Sequence, residues 1–307
     1  MPSFWIVEKT LTRDHLVHRS FRKKAEQISE DPVGMSFVYK VEQRFLDDSQ
    51  GESLTSKGVR TMQRVASKLK GYSIGAKDAD IGSVEDFLFD DKLWTIRYVV
   101  ADTAKWLPGR KVVISPIALG HVEPDDKRLT VSLTKEQVEN SPDVDSRSFS
   151  RQQERSYHDY YGWPYYWVGG DVWGTGTAPA SLAAQQKMEM TAREQENDTH
   201  LRSVHEVMGY YIEATDGDIG HVEDFIIDDE SWEIRYMVVD TKNWWPGKKV
   251  LVSPEWIERV SWSDSRVYVD LSREAIKSGP EFDADRLNRD YEDRLYKHYH
   301  RTGYWVP

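Results

Sequence analysis

Apolar and polar positions begin to alternate at Ile81, with Val84, Phe87 and Phe89 separated by polar residues, and resume at Trp94, Ile96, Tyr98 and Val100. A period near two predicts strands, and the Asp90-Asp91 pair between the two runs predicts a hairpin turn. Pro108-Gly109 marks another turn, which leads into a strand over Lys111–Ile114 that Ser115-Pro116 ends. A further strand over Leu129–Leu133 follows Asp125-Asp126, and Thr134 is placed to cap a short helix over Lys135–Glu139 that ends at Ser141-Pro142. Several short antiparallel strands with little helix predict a small β-barrel.

The same plan recurs. The 46 residues Gly71–Pro116 align without a gap on Gly209–Pro254 at an offset of 138, with 28 identities. The register continues through Arg128/Arg266, Leu133/Leu271, Glu136/Glu274 and Pro142/Pro280, and reaches the tails at Glu154/Glu292, Tyr161/Tyr299 and Tyr166-Trp167/Tyr304-Trp305. A fixed period of this length indicates a duplicated domain, each unit of about 100 residues being long enough to bury its own core.

The shared block, read as GY-I-A-D-DIG-VEDF-DD-W-IRY-V-DT-W-PG-KV-SP, resembles the PRC-barrel domain. That family takes its name from the cytoplasmic domain of the photosynthetic reaction centre H subunit. It also includes the C-terminal domain of a ribosome-maturation factor and many stand-alone bacterial proteins, and the tandem stand-alone type is the most similar. The resemblance implies a mainly β protein of two small PRC-type β-barrels in tandem, each with a short helix and an aromatic-rich tail, and a role in protein assembly. The organisation expected is an N-terminal extension over 1–61, a first barrel repeat over 62–167, a flexible linker over 168–202 and a second repeat over 203–307. Met62 stands where a repeat would begin and offers itself as an alternative start, the other reading being a weakly ordered arm. Gly169-Gly170 and Gly174-Thr-Gly176 fit a linker, with partial helix expected near Ala183–Glu196.

Composition narrows the function. The 307 residues carry 41 Lys+Arg against 52 Asp+Glu, a net charge of −11, which disfavours a phosphate-backbone ligand. The first 61 residues hold 10 basic and 9 acidic side chains, so the acidity lies in the duplicated part. There is no cysteine, hence no disulfide, thiolate metal site or cysteine nucleophile. Mean hydropathy is −0.68 and no apolar run approaches the roughly 18 residues of a membrane span. A cytoplasmic protein is expected, with a station at the surface of an inner-membrane complex as the variant reading.

The chemistry-bearing residues do not form a familiar catalytic pattern. Asp78, Asp80, Glu85 and Asp86, echoed by Asp216, Asp218, Glu223 and Asp224, could offer oxygen ligands to a hard cation but lack the calcium-loop order, and Asp and Gly make turns unaided. The histidines do not repeat across the two copies and are expected at the surface. Arg97 and Arg235 alternate out of phase with the apolar positions and are expected on the outer face, paired with carboxylates such as Asp102 and Asp240.

Aromatic residues carry more information. Trp94 and Trp232 are expected to fill the barrels or clamp their rims. Trp106-Leu107 and Trp244-Trp245 precede Pro-Gly turns and are candidates for contact with the sister barrel or a partner. The tail residues Tyr161, Trp163, Tyr166 and Trp167, with Tyr304 and Trp305, are too aromatic for solvated coil and are expected to fold back on a barrel. The leading expectation is a non-catalytic soluble binding or assembly module, with no cofactor, no metal and no nucleic acid, joined to an unidentified protein partner or to itself. Two alternatives stand beside it: a peripheral accessory of a photosynthetic or electron-transport complex, and an enzyme or cation-binding protein using acids between the barrels.

Overall fold

The computed structural model describes residues 63–144, 149–183, 200–241 and 248–306. The N-terminal extension and the Met62 start, most of the expected 183–196 helix, and Trp244-Trp245 lie outside the described residues.

The first repeat opens with strand β1 (Gln63–Val65) and helix α1 (Ala66–Leu69), followed by β2 (Ser73–Gly75), β3 (Asp80–Asp90), β4 (Thr95–Asp102) and β5 (Val112–Ile114). A 3-10 turn leads to β6 (Leu119–Glu123), β7 (Arg128–Val131), α2 (Lys135–Glu139) and α3 (Arg151–Tyr161). After α4 (Pro179–Ala183) the plan repeats with β8 (Leu201–Ser203), α5 (Val204–Val207), β9 (Tyr211–Ala214), β10 (Gly217–Asp228), β11 (Ile234–Asp240) and β12 (Lys249–Val252). It finishes with β13 (Ile257–Ser261), β14 (Arg266–Val269), α6 (Arg273–Ser278) and α7 (Arg289–His298).

The local signals act as the sequence suggests. Asp90 accepts hydrogen bonds from the Lys92 and Leu93 amides, and Asp228 from those of Glu230 and Ser231, which closes the β3-β4 and β10-β11 hairpins. Thr134 and Gln137 form a capping box at α2. Gly82 and Gly220, at φ +135° and +142°, sit where a Cβ would fall 2.0 Å from the Asp102 and Asp240 carbonyl oxygens, so a side chain is excluded by contact as well as by backbone conformation. Strands β6 and β13 and the longer helices α3 and α7 were not anticipated from the alternation.

Two seven-stranded sheets result, in the orders β5-β4-β3-β2-β7-β6 and β12-β11-β10-β9-β14-β13. The seventh strand of each comes from the other repeat. β1 pairs antiparallel with β10, Gln63 to Asp228 and Val65 to Ile226, while β8 pairs with β3, Leu201 to Asp90 and Ser203 to Leu88. The two repeats therefore exchange their first strands, and one hydrophobic core, from Ile74 and Phe89 to Phe225 and Leu251, runs through both barrels.

A direct contact completes the join. The Ile96 amide donates to the Trp232 carbonyl at 2.8 Å, and the Ile234 amide to the Trp94 carbonyl at 2.7 Å. Ile96 and Ile234 are equivalent at 138, as are the tryptophans, so the relation is a local twofold. Trp94 lies 6.4 Å from Phe225 and Trp232 lies 6.4 Å from Phe87, ring centre to ring centre. Trp94 and Trp232 thus join the barrels at the seam.

The segment after the first tail departs from the flexible linker expected of it. Over 168–183 it is packed: Trp173 is fully buried and donates its indole N–H to the Ser231 carbonyl at 2.8 Å, and Leu182 of α4 is buried in the common core. Its glycines serve this turn, Gly169 lying so close to the Gly174 carbonyl that a Cβ would collide. An indole that buries all its apolar surface holds the segment against both barrels.

Candidate interaction surface and buried polar hubs

The exchanged strands are fastened by carboxylates, backbone amides and arginines that obey the same 138 offset, with a serine hydroxyl added at a different position in each copy. Asp224 accepts from the Ser67 amide and hydroxyl, holding the start of α1, and Asp86 accepts from the Ser203 hydroxyl at 2.5 Å and the His205 amide at 3.1 Å at the start of α5. Arg64 pairs with Asp229 at 2.8 Å and Arg202 with Asp91 at 3.0 Å. Burial pushes the Asp91 and Asp229 carboxyls up, against the pull of those arginines. Two of the acids that suggested a cation site, Asp86 and Asp224, are therefore clasps of the exchange.

The remaining acids of that set are also engaged locally. Asp78 and Asp216 accept from the first amides of α2 and α6, at 2.8 and 2.7 Å. Asp80 pairs with Arg128 and Asp218 with Arg266, while Glu85 and Glu223 meet Lys111 and Lys249. Among the described residues, no three His, Asp or Glu groups come together as metal ligands would.

Each repeat also contains a buried carboxylate hub. In the second, Glu292 Oε1 accepts from Tyr236 at 2.7 Å, Tyr304 at 3.0 Å and the side-chain amide of Gln63 at 2.7 Å, with Arg289 at 3.0 Å from Oε2. Gln63 belongs to the first repeat, so the exchanged strand carries a donor into its neighbour's hub. In the first, fully buried Glu154 accepts from Tyr98 at 3.0 Å and Tyr166 at 2.6 Å, while Arg151 and His200 lie 2.9 and 3.2 Å from Oε2. Here His200, just before β8, brings the contribution of the second repeat. Burial works to raise the Glu154 carboxyl, but the contact with His200 and the charge of Arg151 outweigh it and hold it below the ordinary glutamate value. Burial and the Glu154 charge push Tyr98 and Tyr166 well up, so both stay protonated donors.

Two expectations are corrected at this point. Arg97 is not on a solvated face: it is fully buried, donates to the Val172 carbonyl at 2.7 Å, and lies 4.0 and 4.6 Å over the rings of Tyr166 and Trp173. Its ion partner is Asp90 at 3.8 Å, and Arg235 pairs with Asp228 and Glu233, rather than with Asp102 and Asp240. The alternation misled because β4 is buried on both sides, Val99 and Ala101 facing the barrel core while Tyr98 and Val100 pack with Phe149 and Tyr157 under α3. Nor are the histidines all at the surface. His158 and His200 are buried, and burial pushes His158 down to about 4.

The candidate aromatics are distributed as follows. Trp106 donates its indole N–H to the Ile81 carbonyl at 2.9 Å of its own barrel, under the Lys135 ammonium at 4.6 Å, and Leu107 is half-buried beside it. Tyr161 and Trp163 stack at 4.4 Å, and Trp167 stacks with Tyr165 at 4.8 Å. Tyr166 and Tyr304 enter the hubs, and Trp305 packs edge-on to Tyr296 at 5.0 Å with Arg289 at 4.1 Å over it. The tails fold back on their barrels through Tyr157, whose hydroxyl donates to the Val113 carbonyl at 2.6 Å, and through Tyr291, Leu295 and Tyr296. The hub residues could have been found in the sequence, because Tyr98/Tyr236, Arg151/Arg289, Glu154/Glu292 and Tyr166/Tyr304 all keep the repeat offset.

Among the described residues no helix is long and apolar enough to cross a membrane. The PRC-barrel domain model matches residues 64–138 and again 201–276. A 140-residue stretch is 32% identical to an uncharacterized protein of Deinococcus radiodurans, covering 42% of this chain and 49% of that one, so the match spans about half the length of the relative. With a strand-exchanged pair of barrels and both model matches in register, the chain belongs to the PRC-barrel family and carries that barrel twice.

Proposed function

We propose that this protein is a non-catalytic binding and assembly platform. The observation that carries the reading is the use made of its chemistry-bearing residues: the duplicated acids clasp the exchanged strands, cap helices, pair with surface Arg and Lys or sit in closed hubs. A carboxylate committed to three or four donors in a dry interior is poorly disposed to act as acid, base or ligand. Among the charged and polar residues at its surface the fold leaves a few aromatic and apolar ones, the exposed Tyr160, Tyr211 and Leu93 and the half-buried Tyr161-Trp163 stack. Such residues on a rigid support are the usual material of protein contact sites.

The test is crosslinking of the full chain in its native cells followed by mass spectrometry. Crosslinks from a recurrent protein partner to residues neighbouring Tyr160–Trp163, Tyr211 or Leu93 support the platform. Turnover of a small molecule without any recurrent partner contradicts it.

A further inference from the structure

The join between the repeats is built from contacts that each run from one repeat to the other. Strand β1 enters the sheet of β10 and β8 enters that of β3, while the Ile96–Trp232 and Ile234–Trp94 backbone bonds hold the seam between them. Arg64 meets Asp229 and Arg202 meets Asp91; Gln63 completes the Glu292 hub and His200 the Glu154 hub. The packed segment 168–183 follows the first repeat in the chain, yet its Trp173 donates to Ser231 of the second. None of these contacts depends on the two repeats sharing a polypeptide. Past this packed segment, the covalent connection runs through the single stretch 184–199.

We propose that the same join forms between two copies of this chain, as a reciprocally exchanged dimer in which the first repeat of each takes the second repeat of the other. The inference goes beyond the platform reading and uses none of its surface aromatics. Pairing is one with two because the hubs are matched across the repeats. Gln63 and His200 are not equivalents, their counterparts at 138 being Leu201 and Met62. A pair of first repeats would bring two copies of the 168–183 segment to one seam, and a pair of second repeats would bring none. The closed dimer keeps the hydrogen bonds, ion pairs and buried rings of two monomers, each copy completing the other's hubs. Only the tether distinguishes the two forms. A short tether holds its ends at an effective concentration on the order of millimolar, so a free chain competes with the tethered repeat as its own concentration approaches that value. Strands must leave both sheets before partners change, so the form reached during folding persists on dilution.

The test uses full chains, light and isotopically heavy, each with a site-specific protease sequence placed within 184–199. Equal amounts are unfolded in urea, refolded together at about 1 mM and at about a thousandfold lower concentration, and sized. Monomer alone is expected from the dilute refolding, and a dimer that survives dilution is expected beside it from the concentrated one. Cutting that dimer within 184–199 should release pairs of monomer size, and native mass spectrometry should find light first repeats bound to heavy second repeats among them. Cut monomer should give unmixed pairs. A dimer that keeps its size after cutting, or that yields only unmixed pairs, associates through another face and overturns the proposal; so does monomer at both concentrations. Crosslinking of a partner in native cells is untouched by these results, so the platform reading stands or fails separately.

Discussion

Gln63 donates its side-chain amide to Glu292 across 229 positions of sequence, at 2.7 Å. The contact ties the first described strand to the last helix and exists only because the repeats exchange strands. A chain whose repeats folded separately would leave Glu292 without that donor, and a buried carboxylate pays for each missing partner.

Removing a clasp should loosen a segment far away in sequence. Asp224→Ala takes the cap from α1 and should cost about 1 kcal/mol, in the range of lost helix caps. Hydrogen exchange should quicken at residues 63–69 and stay unchanged at 201–207, whereas Asp86→Ala should do the reverse.

Breaking a hub should cost more. Glu154→Leu leaves Arg151, Tyr98 and Tyr166 without their buried acceptor, and stripping one partner from such a network costs about 3–5 kcal/mol. A urea midpoint unchanged from wild type would show that the hub is not a stabilising unit.

Trp173→Ala should be comparably severe, at about 3–5 kcal/mol for a fully buried indole, because it also uncovers Arg97. Trp106→Ala, at a half-buried ring, should cost less. Equal midpoint shifts for the two variants would contradict the packed placement of the 168–183 segment.

The repeat, the hairpins, the α2 cap and the barrel class were legible in the sequence because each rests on local spacing. The exchange was not. Asp86 and Asp224, or Asp91 and Asp229, are identical in both copies, so sequence alone cannot say whether β1 returns to its own sheet or crosses to the other. Arg97 was misplaced because alternation reports two faces of a strand but not what covers the outer one. Helix α3 does carry a signal, the Ser150-Gln153 capping box, but its polar, tyrosine-rich stretch lacks the apolar stripe that marks a helix most clearly.

Acid should weaken the protein from below about pH 6.5. His158 titrates near 4 in the fold against 6.5 for the free side chain, so between those values the unfolded chain binds a proton that the folded chain refuses. Stability from this group is fully present above 6.5, falls as pH drops towards 4, and the loss levels off below, amounting to about 3 kcal/mol. Glu154, held below its ordinary value, adds a further loss at lower pH. In His158→Gln the slope of unfolding free energy between pH 6.5 and 4 should flatten; an unchanged slope would remove His158 as its source.

The interlocking of the repeats is tested most directly by cutting the chain between them. With a site-specific protease sequence placed within 184–199, the full chain can be cleaved after folding and run on a sizing column under native conditions. Exchanged strands, the Trp94–Trp232 seam and shared hubs predict that the two fragments co-elute at the size of the uncut protein and unfold together in one transition whose midpoint depends on concentration. Fragments that separate into two smaller folded species would contradict the account.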